Sequence, residues 1–334
     1  MKILVAPLNW GLGHASRCVP LVQRFLDEGH EVILGGDGES LTLLRKHFPQ
    51  LRYVYLAPLN LRYSAGKRQV WAMVKALPKL VHWALKDHMM LKAVLREEPI
   101  DRVVSDNRFG LYNNSTECIY ITHQLHIMLP EGWRWAERFA AWLHARIYTR
   151  YNKVWVPDYE ELEKSLAGEL SHPGKFLVSA TSSRCTLQYI GPLSRFGKEI
   201  ALQDHAAPYD TVAVLSGLEP HRTLLEKEIL ARYQDTKERL LLVEGLLYRP
   251  NTRIKRGNIT IVPSMWDEEL AAALSGAQHI IVRSGYSTIM DLAALGLLSH
   301  TSFSTHYPSI ELIPTPGQPE QEYLATWIRQ KALF

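Results

Sequence analysis

The run Arg283-Ser284-Gly285-Tyr286-Ser287-Thr288-Ile289-Met290-Asp291 follows the apolar stretch His279-Ile280-Ile281-Val282 and leads into Leu292-Ala293-Ala294-Leu295-Gly296. A buried strand, a small-residue turn and a helix are what this pattern predicts. The turn leaves backbone N–H groups unpaired at the helix start, backed by the positive end of the helix dipole, which makes an anion site. Ser287 and Thr288 add hydroxyl donors. Asp291 stands one turn on from Ser287 and brings a carboxylate to the same mouth, suited to a ribose diol. A phosphate site beside a diol site describes a nucleotide. At the other end of the chain His14 follows the glycine turn Gly11-Leu12-Gly13, near the start of a predicted helix, and imidazole titrates close to working pH. It is the candidate general base, with a helix cap or structural anion contact as the alternative. Asp106 and Asn107, in Ser105-Asp106-Asn107-Arg108, close a predicted strand where cleft residues belong in open parallel sheets. Asp106 is the reserve base, or else a cap or turn residue. His123, Gln124 and His126 follow the next strand and are candidates for an acceptor pocket; no carboxylate or cysteine completes a metal set with the two histidines.

The elements that must position these residues alternate regularly. Over residues 1–190, strands are expected at Lys2 to Ala6, Glu31 to Gly35, Leu51 to Leu56, Arg102 to Ser105, Cys118 to Thr122 and Val154 to Val156. Helices are expected at Ala15 to Glu28, Ser40 to His47, Val70 to Arg96 and Trp133 to Tyr151. A second series follows, with strands near Thr211 to Leu215, Arg239 to Val243, Ile259 to Val262 and His279 to Val282, and helices at Arg222 to Tyr233, Glu268 to Ser275 and Thr288 to Leu295. Each series opens on a strand, a glycine turn and a helix, the first through Gly11 and Gly13 and the second through Ser216-Gly217. The expectation is an α/β protein of two Rossmann-like domains, 1–190 and 191–334, facing each other across a cleft, with the break at Ile190-Gly191-Pro192-Leu193.

Composition agrees. A chain of 334 residues exceeds what one core usually supports, and its formal charge of +4 is too small for wholesale nucleic-acid binding. Three cysteines, Cys18, Cys118 and Cys185, are too few and too scattered for a disulfide framework, which suits a reducing cytoplasm. The amino-terminal apolar run is too short for a signal peptide. The best candidate for a membrane span, Val70 to Leu85, is broken by Lys75, Pro78 and Lys79.

Arg283-Ser284-Gly285, Thr288 and Asp291, followed by Ile313-Pro314 and by Pro316-Gly317-Gln318-Pro319-Glu320-Gln321, resemble the donor-binding signature of glycosyltransferase family 28, whose fold is GT-B. Gly11-Leu12-Gly13-His14 resembles the amino-terminal glycine loop of that family's lipid-intermediate N-acetylglucosaminyltransferases. The resemblance implies transfer of a hexose or N-acetylhexosamine, with UDP as the carrier and inversion at the anomeric carbon. It assigns Asp291 to the ribose hydroxyls, where the family usually has glutamate, Gln321 and Gln318 to the donor sugar, and Ser216, Gly217 and Arg222 to the diphosphate. Backbone around Pro263-Ser264-Met265 falls where the uracil edge is read. Gly11, Gly13, Asn107 and Gln124 fall on the acceptor side. Two departures stand out: the segment 298–311, where the family passes almost directly to its next strand, and an end at Phe334 soon after the glutamine motif.

Such a transfer must stabilise a departing diphosphate and remove a proton from the acceptor. Helix starts at Ser287 and near Pro220, with Arg222 or Arg283 as the cation, serve the diphosphate. No Asp-x-Asp motif is evident, so no metal and no separate cofactor is expected. Lys67, Arg68, Lys75, Lys79, Lys86, Lys92 and Arg96 are interleaved with Val70, Trp71, Met73, Val74, Leu77, Leu80, Val81, Trp83 and Leu85; Arg134, Arg138, Arg146 and Arg150 with Trp133, Trp135, Phe139, Trp142, Ile147 and Tyr148. This suits an anionic membrane surface and a lipid-linked, cell-envelope acceptor, hence a peripheral protein at the inner face of a membrane; the alternative is a core-facing stripe with a solvated charged face. Three other functions share parts of the pattern: a nucleotide-sugar epimerase of the same fold, a nicotinamide-dependent oxidoreductase suggested by Gly11-x-Gly13 and Asp37, and a non-catalytic sugar-nucleotide-binding protein.

Overall fold

The computed structural model describes residues 1–59, 69–172, 185–196, 208–250, 252–298 and 308–331, with backbone alone for 69–74. Lys67, Arg68 and most of the 298–311 segment lie outside the described residues, as do the side chains of Val70, Trp71, Met73 and Val74. The chain divides into two units, one of Met1–Trp10 and His14–Leu193, the other of Gly11–Gly13 and Ser194–Phe334. No helix among the described residues is long and apolar enough to cross a membrane.

The first unit is built from β1 (Lys2–Pro7), α1 (Gly13–Asp27), β2 (Glu31–Gly36), α2 (Gly38–His47), β3 (Arg52–Tyr55), α3 (Gln69–Glu97), β4 (Arg102–Asp106), β5 (Glu117–Ile121), α4 (Glu137–Tyr148), β6 (Lys153–Val156) and β7 (Thr186–Tyr189). Its strands run in the order β3-β2-β1-β4-β5-β6-β7, every pair parallel. Ile3, Leu4, Val5 and Ala6 are all fully buried, as a strand covered on both faces requires. Under one face Leu91 of α3 and Ala141, Ala145 and Tyr148 of α4 join Val103, Tyr120 and Val154 in a single apolar cluster. The expected helix from Trp133 to Tyr151 is in two parts, a 3-10 turn at Glu131–Ala136 and then α4.

A buried arginine ties the carboxyl ends of the first four strands. Arg108 donates to both oxygens of Asp87, to Asp37 Oδ1 at 2.8 Å, and to the carbonyls of Pro7 and Ala57. All five of its N–H groups are thereby matched, which is what a buried guanidinium needs. Asp37 also accepts from Asn9 at 2.9 Å. Both of its oxygens are therefore committed to the fold, in place of the free ribose-binding carboxylate that a nicotinamide-dependent enzyme would present after its second strand.

The second unit contains β8 (Thr211–Val214), α5 (His221–Tyr233), β9 (Leu240–Val243), β10 (Ile254–Arg256), β11 (Ile259–Val262), α6 (Asp267–Gly276), β12 (His279–Arg283), α7 (Tyr286–Ala294), β13 (Ser309–Ile313) and α8 (Pro319–Lys331). The order is β10-β11-β9-β8-β12-β13, parallel except for β10, which is an exposed antiparallel edge. Leu240, Leu241 and Leu242 of β9 are fully buried, and Ile229 of α5 seals one face against Ala213 and Ile281. Both units are thus Rossmann-like.

Candidate functional site

In the first unit β1 has β2 on one side and β4 on the other, so the chain's winding reverses between β1 and β4. Ligands in such sheets bind where the carboxyl ends of those two strands diverge. The register pairs Pro7 with Asp106, which sets the end of β4 beside the glycine turn leaving β1. His14 Nδ1 lies 2.9 Å from Asp106 Oδ1. Arg17, one turn along α1, meets the same carboxylate with Nε 2.5 Å from Oδ2, while its Nη2 contacts Oδ1. Sequence positions 92 residues apart are thus brought into contact.

Exposure assigns the parts. Asp106 is fully buried, whereas 17% of the His14 side chain remains exposed. A base must reach its substrate's proton, so a direct proton-accepting role for Asp106 does not fit its burial. Burial alone would push the Asp106 carboxyl up, but the Arg17 charge and the hydrogen bonds from Arg17 and His14 outweigh it and hold it well below the usual carboxylate range. It stays ionised, with Oδ1 against the His14 ring. For His14, burial lowers the pKa first, Asp106 opposes, and Arg17 and His123 lower it further; the net direction is down. That shift favours the neutral form of the ring.

The remaining first-unit candidates sit around this pair. Asn107 is the only non-glycine with a left-handed backbone among the described residues, at φ 55°. Its Oδ1 accepts from the Tyr120 hydroxyl at 2.9 Å, which fixes which way the amide faces. Gln124 is half-buried, its N–H bonded to Thr122 Oγ1 at 3.1 Å. His123 is buried, with Nδ1 3.4 Å from Arg17 Nη1, and His126 turns to Glu137 at 3.5 Å. The two histidines are thus drawn to different partners.

The second unit reverses between β8 and β12, and the two predicted donor turns, Ser216-Gly217 and Ser284-Gly285, leave the carboxyl ends of those strands. Gly217 has φ 96°, open to glycine at no steric cost. Helix α7 starts after Gly285 with no acidic residue in its first turn, whereas α6 starts Asp267-Glu268-Glu269. Of these two helix starts, only that of α7 is electrostatically suited to a phosphate. Ser284 Oγ donates to the Gln321 carbonyl at 2.8 Å, joining the turn to α8. Gln321 is held by its own amide, which accepts from the Thr315 N–H and donates to Gln318 Oε1 at 2.7 Å. Thr288 is half-buried in the first turn of α7, and Met265 is buried behind β11. Gly11–Gly13 groups with this unit, in which Ser287 Oγ donates to the Gly13 carbonyl at 2.9 Å.

Three charged candidates are engaged in ways the sequence did not reveal. Arg222 is paired with Glu219 and Glu226, so its charge is already neutralised and it is not a free cation for a diphosphate. Arg283 points its two terminal nitrogens at the carbonyls of Pro314 and His221. No carboxylate among the described residues forms an ion pair with it, and burial lowers its pKa. Asp291 accepts from Ser194 Oγ at 2.7 Å and lies 3.6 Å from Arg195 Nε, while Arg195 also meets Asp267 at 3.1 Å. Sequence reasoning passed over Ser194 and Arg195, because the break at Gly191-Pro192 reads as a linker. The signal was an arginine within a few residues of the expected boundary.

No protein-family model matches the chain. It is 23% identical over 347 aligned residues to an uncharacterised glycosyltransferase of Methanosarcina acetivorans, covering 99% of this chain and 84% of that one. A second relative, from Methanosarcina mazei, carries the same description at 22% identity, again covering 99% and 84%. Among solved structures, the kitacinnamycin glycotransferase aligns with a TM-score of 0.54 at 15% identity, covering 98% of this chain and 84% of its own. Arabidopsis thaliana UGT89C1, solved with UDP-L-rhamnose, gives 0.53 at 14%, covering 99% and 92%. These neighbours share the paired Rossmann-like architecture called GT-B.

Proposed function

We propose that this chain, a glycosyltransferase of GT-B type, moves a hexose or N-acetylhexosamine from a UDP-linked donor to an acceptor hydroxyl by an inverting, metal-independent displacement. The observation that carries the reading is the accessible His14 ring held through one nitrogen by a buried, ionised Asp106 at the reversal point of its sheet. The acceptor oxygen attacks the anomeric carbon, the bond from that carbon to the diphosphate oxygen breaks, and the acceptor's proton passes to His14 Nε2. Asp106 keeps the ring in the tautomer that frees Nε2 and steadies the imidazolium that forms. UDP leaves with the bonding electrons. Its diphosphate is received by the N–H groups opening α7, by Ser287 and Thr288, and by the Ser216-Gly217 turn.

Asp291 serves the donor ribose, and its surroundings give that role a pH signature. Burial pushes its carboxyl up to about 6, against the pull of Arg195 and Ser194. Below pH about 6 the carboxyl is protonated and its hold on a sugar hydroxyl weakens. UDP-glucose affinity in the parent is expected to fall by several-fold, on the order of 1 kcal/mol, between pH 7 and pH 5. Asp291→Asn should bind more weakly at pH 7 and show no such slope in calorimetry. A parent with a flat profile rules out this role.

The acceptor side is a lipid-linked or membrane-surface substrate. Leu77, Val81, Leu85 and Met89 form an exposed row along α3, while its Trp83 and Leu91 face inward. Trp135, Phe139, Trp142 and Leu143 are exposed on and before α4. Exposed Lys75, Lys79, Lys86, Lys92, Arg134, Arg138 and Arg146 flank them. Cations beside outward apolar and aromatic groups match an anionic interface. The protein should co-sediment with phosphatidylglycerol vesicles at low salt and release at high salt. Indifference to vesicles removes the membrane from the proposal.

The overall test is a thermal-shift panel of nucleotide sugars followed by acceptor-dependent UDP release. A shift with UDP-sugars and release that needs an acceptor support transfer. Epimerised sugar formed without acceptor replaces it with the epimerase, and NADH binding without UDP-sugar binding overturns it.

A further inference from the structure

We infer that Arg17 is a positioning residue of this site: its guanidinium grips both oxygens of Asp106, fixing the carboxylate against one ring nitrogen of His14 so that the other is presented outward, while its charge opposes protonation of the ring. The inference rests on the proposed acid–base role of His14 and gives that site a third working member.

The geometry is that of a clamp. Arg17 follows His14 by three positions on α1, which places both on one face of the helix. Only 2% of the Arg17 side chain is exposed, and its Nε and Nη2 form a fork on the two Asp106 oxygens. Nη2 also lies 2.9 Å from His14 Nδ1. With the ring proton on Nδ1, Nη2 and Nδ1–H both donate to Asp106 Oδ1 and the lone pair is on Nε2, the tautomer that the proposed base requires. A carboxylate held at one oxygen could swing and release the ring; held at both, it cannot.

The titratable and charged groups that face His14 are Asp106 from β4, Arg17 from its own helix and His123 from the segment after β5, with the Cys18 thiol 3.7 Å from Asp106. A carboxylate alone would make the imidazole more basic and leave much of it protonated at neutral pH. Arg17 cancels that charge. Before the step the trio of Arg17, Asp106 and neutral His14 carries no net charge. After His14 takes the acceptor's proton it carries one positive charge, with the Nδ1–H bond to Asp106 intact. Arg17 thus adds to burial in countering Asp106, and the three together set the pH at which the base is free.

The test compares Arg17→Met with Arg17→Lys in the full chain, by NMR titration of His14 and by the pH profile of acceptor-dependent UDP release. In Arg17→Met the cation is lost and Asp106 acts on the ring without the opposing charge of Arg17. His14 should titrate higher by on the order of one pH unit, and the acid limb of kcat/KM should move up with it. In Arg17→Lys the charge remains but the fork does not, so titration should stay near the parent's while kcat falls on the order of 10-fold at unchanged KM. Parental titration and limb in Arg17→Met, with only a lower Tm, would mean that Arg17 merely stabilises the fold and would overturn the inference. If Arg17→Met fails to fold, Arg17→Lys decides alone: undiminished kcat overturns it. If the His14 titration moves as expected while His14→Ala retains full turnover, the clamp stands and the acid–base reading of His14 falls.

Discussion

His14→Ala is expected to lower acceptor-dependent UDP release by about 10²–10⁴-fold, the usual contribution of a positioned general base. The thermal shift produced by UDP-glucose should be unchanged, because the donor residues named above lie on other elements. The fold should survive the change: His14 is partly exposed, and Asp106 keeps the bidentate contact with Arg17. The loss should therefore appear in kcat, with donor affinity intact. Full activity in the variant would remove His14 as the base, and no other exposed imidazole contacts Asp106 among the described residues.

Asp106→Asn should cost both rate and stability. An amide in place of the carboxylate no longer enforces the tautomer that leaves Nε2 free, and comparable changes in His–carboxylate pairs cost on the order of 10³–10⁴-fold in kcat. It also leaves the buried Arg17 guanidinium without a counter-charge, a loss of about 3–5 kcal/mol. For a unit of this size that is roughly 6 °C or more in Tm. The pH dependence follows from the direction of the shift. The folded-state pKa of Asp106 lies below its unfolded value, so its stabilisation is complete above the unfolded value, near pH 4, and is lost as pH falls further. The parent should lose stability steeply below about pH 4 and the variant much less so. Equal slopes in acid titrations would show that the pair adds nothing to the fold.

Much of the architecture was legible because its strands are covered on both faces and so read as continuous apolar runs. Ile3 to Ala6, Leu240 to Val243 and Ile280 to Val282 could scarcely be anything else. The strands passed over are short and exposed: none of Thr186–Tyr189 is buried, and all of Ile254–Arg256 faces outward. Ser309–Ile313 has one buried residue, Leu312. Such strands are fixed by ladder hydrogen bonds to a neighbour far along the chain, which leave no periodicity in their own composition. Helix α8 escaped notice because its first residues, Pro319 to Glu322, read as a ligand motif. The row of Leu77, Val81, Leu85 and Met89 shows the limit of amphipathicity: spacing reveals that one face of α3 is apolar, but not that a second apolar row faces outward.

Taken by itself, the chain declared two strand–glycine–helix openings, a helix start expected at Ser287 with the character of an anion site, and an imidazole placed to titrate at the end of the first turn. These are local properties, written in the spacing of neighbours. Which charges meet was decided only by tertiary structure. Asp106 reaches His14 and Arg17 because β4 lies beside β1, Arg222 is neutralised by two glutamates on its own stretch of chain, and Asp291 is met by Ser194 and Arg195 from far upstream. A carboxylate's role depends on what surrounds it within a few ångströms, where the field is strong and solvent is excluded, and those surroundings are assembled only when distant segments pack together.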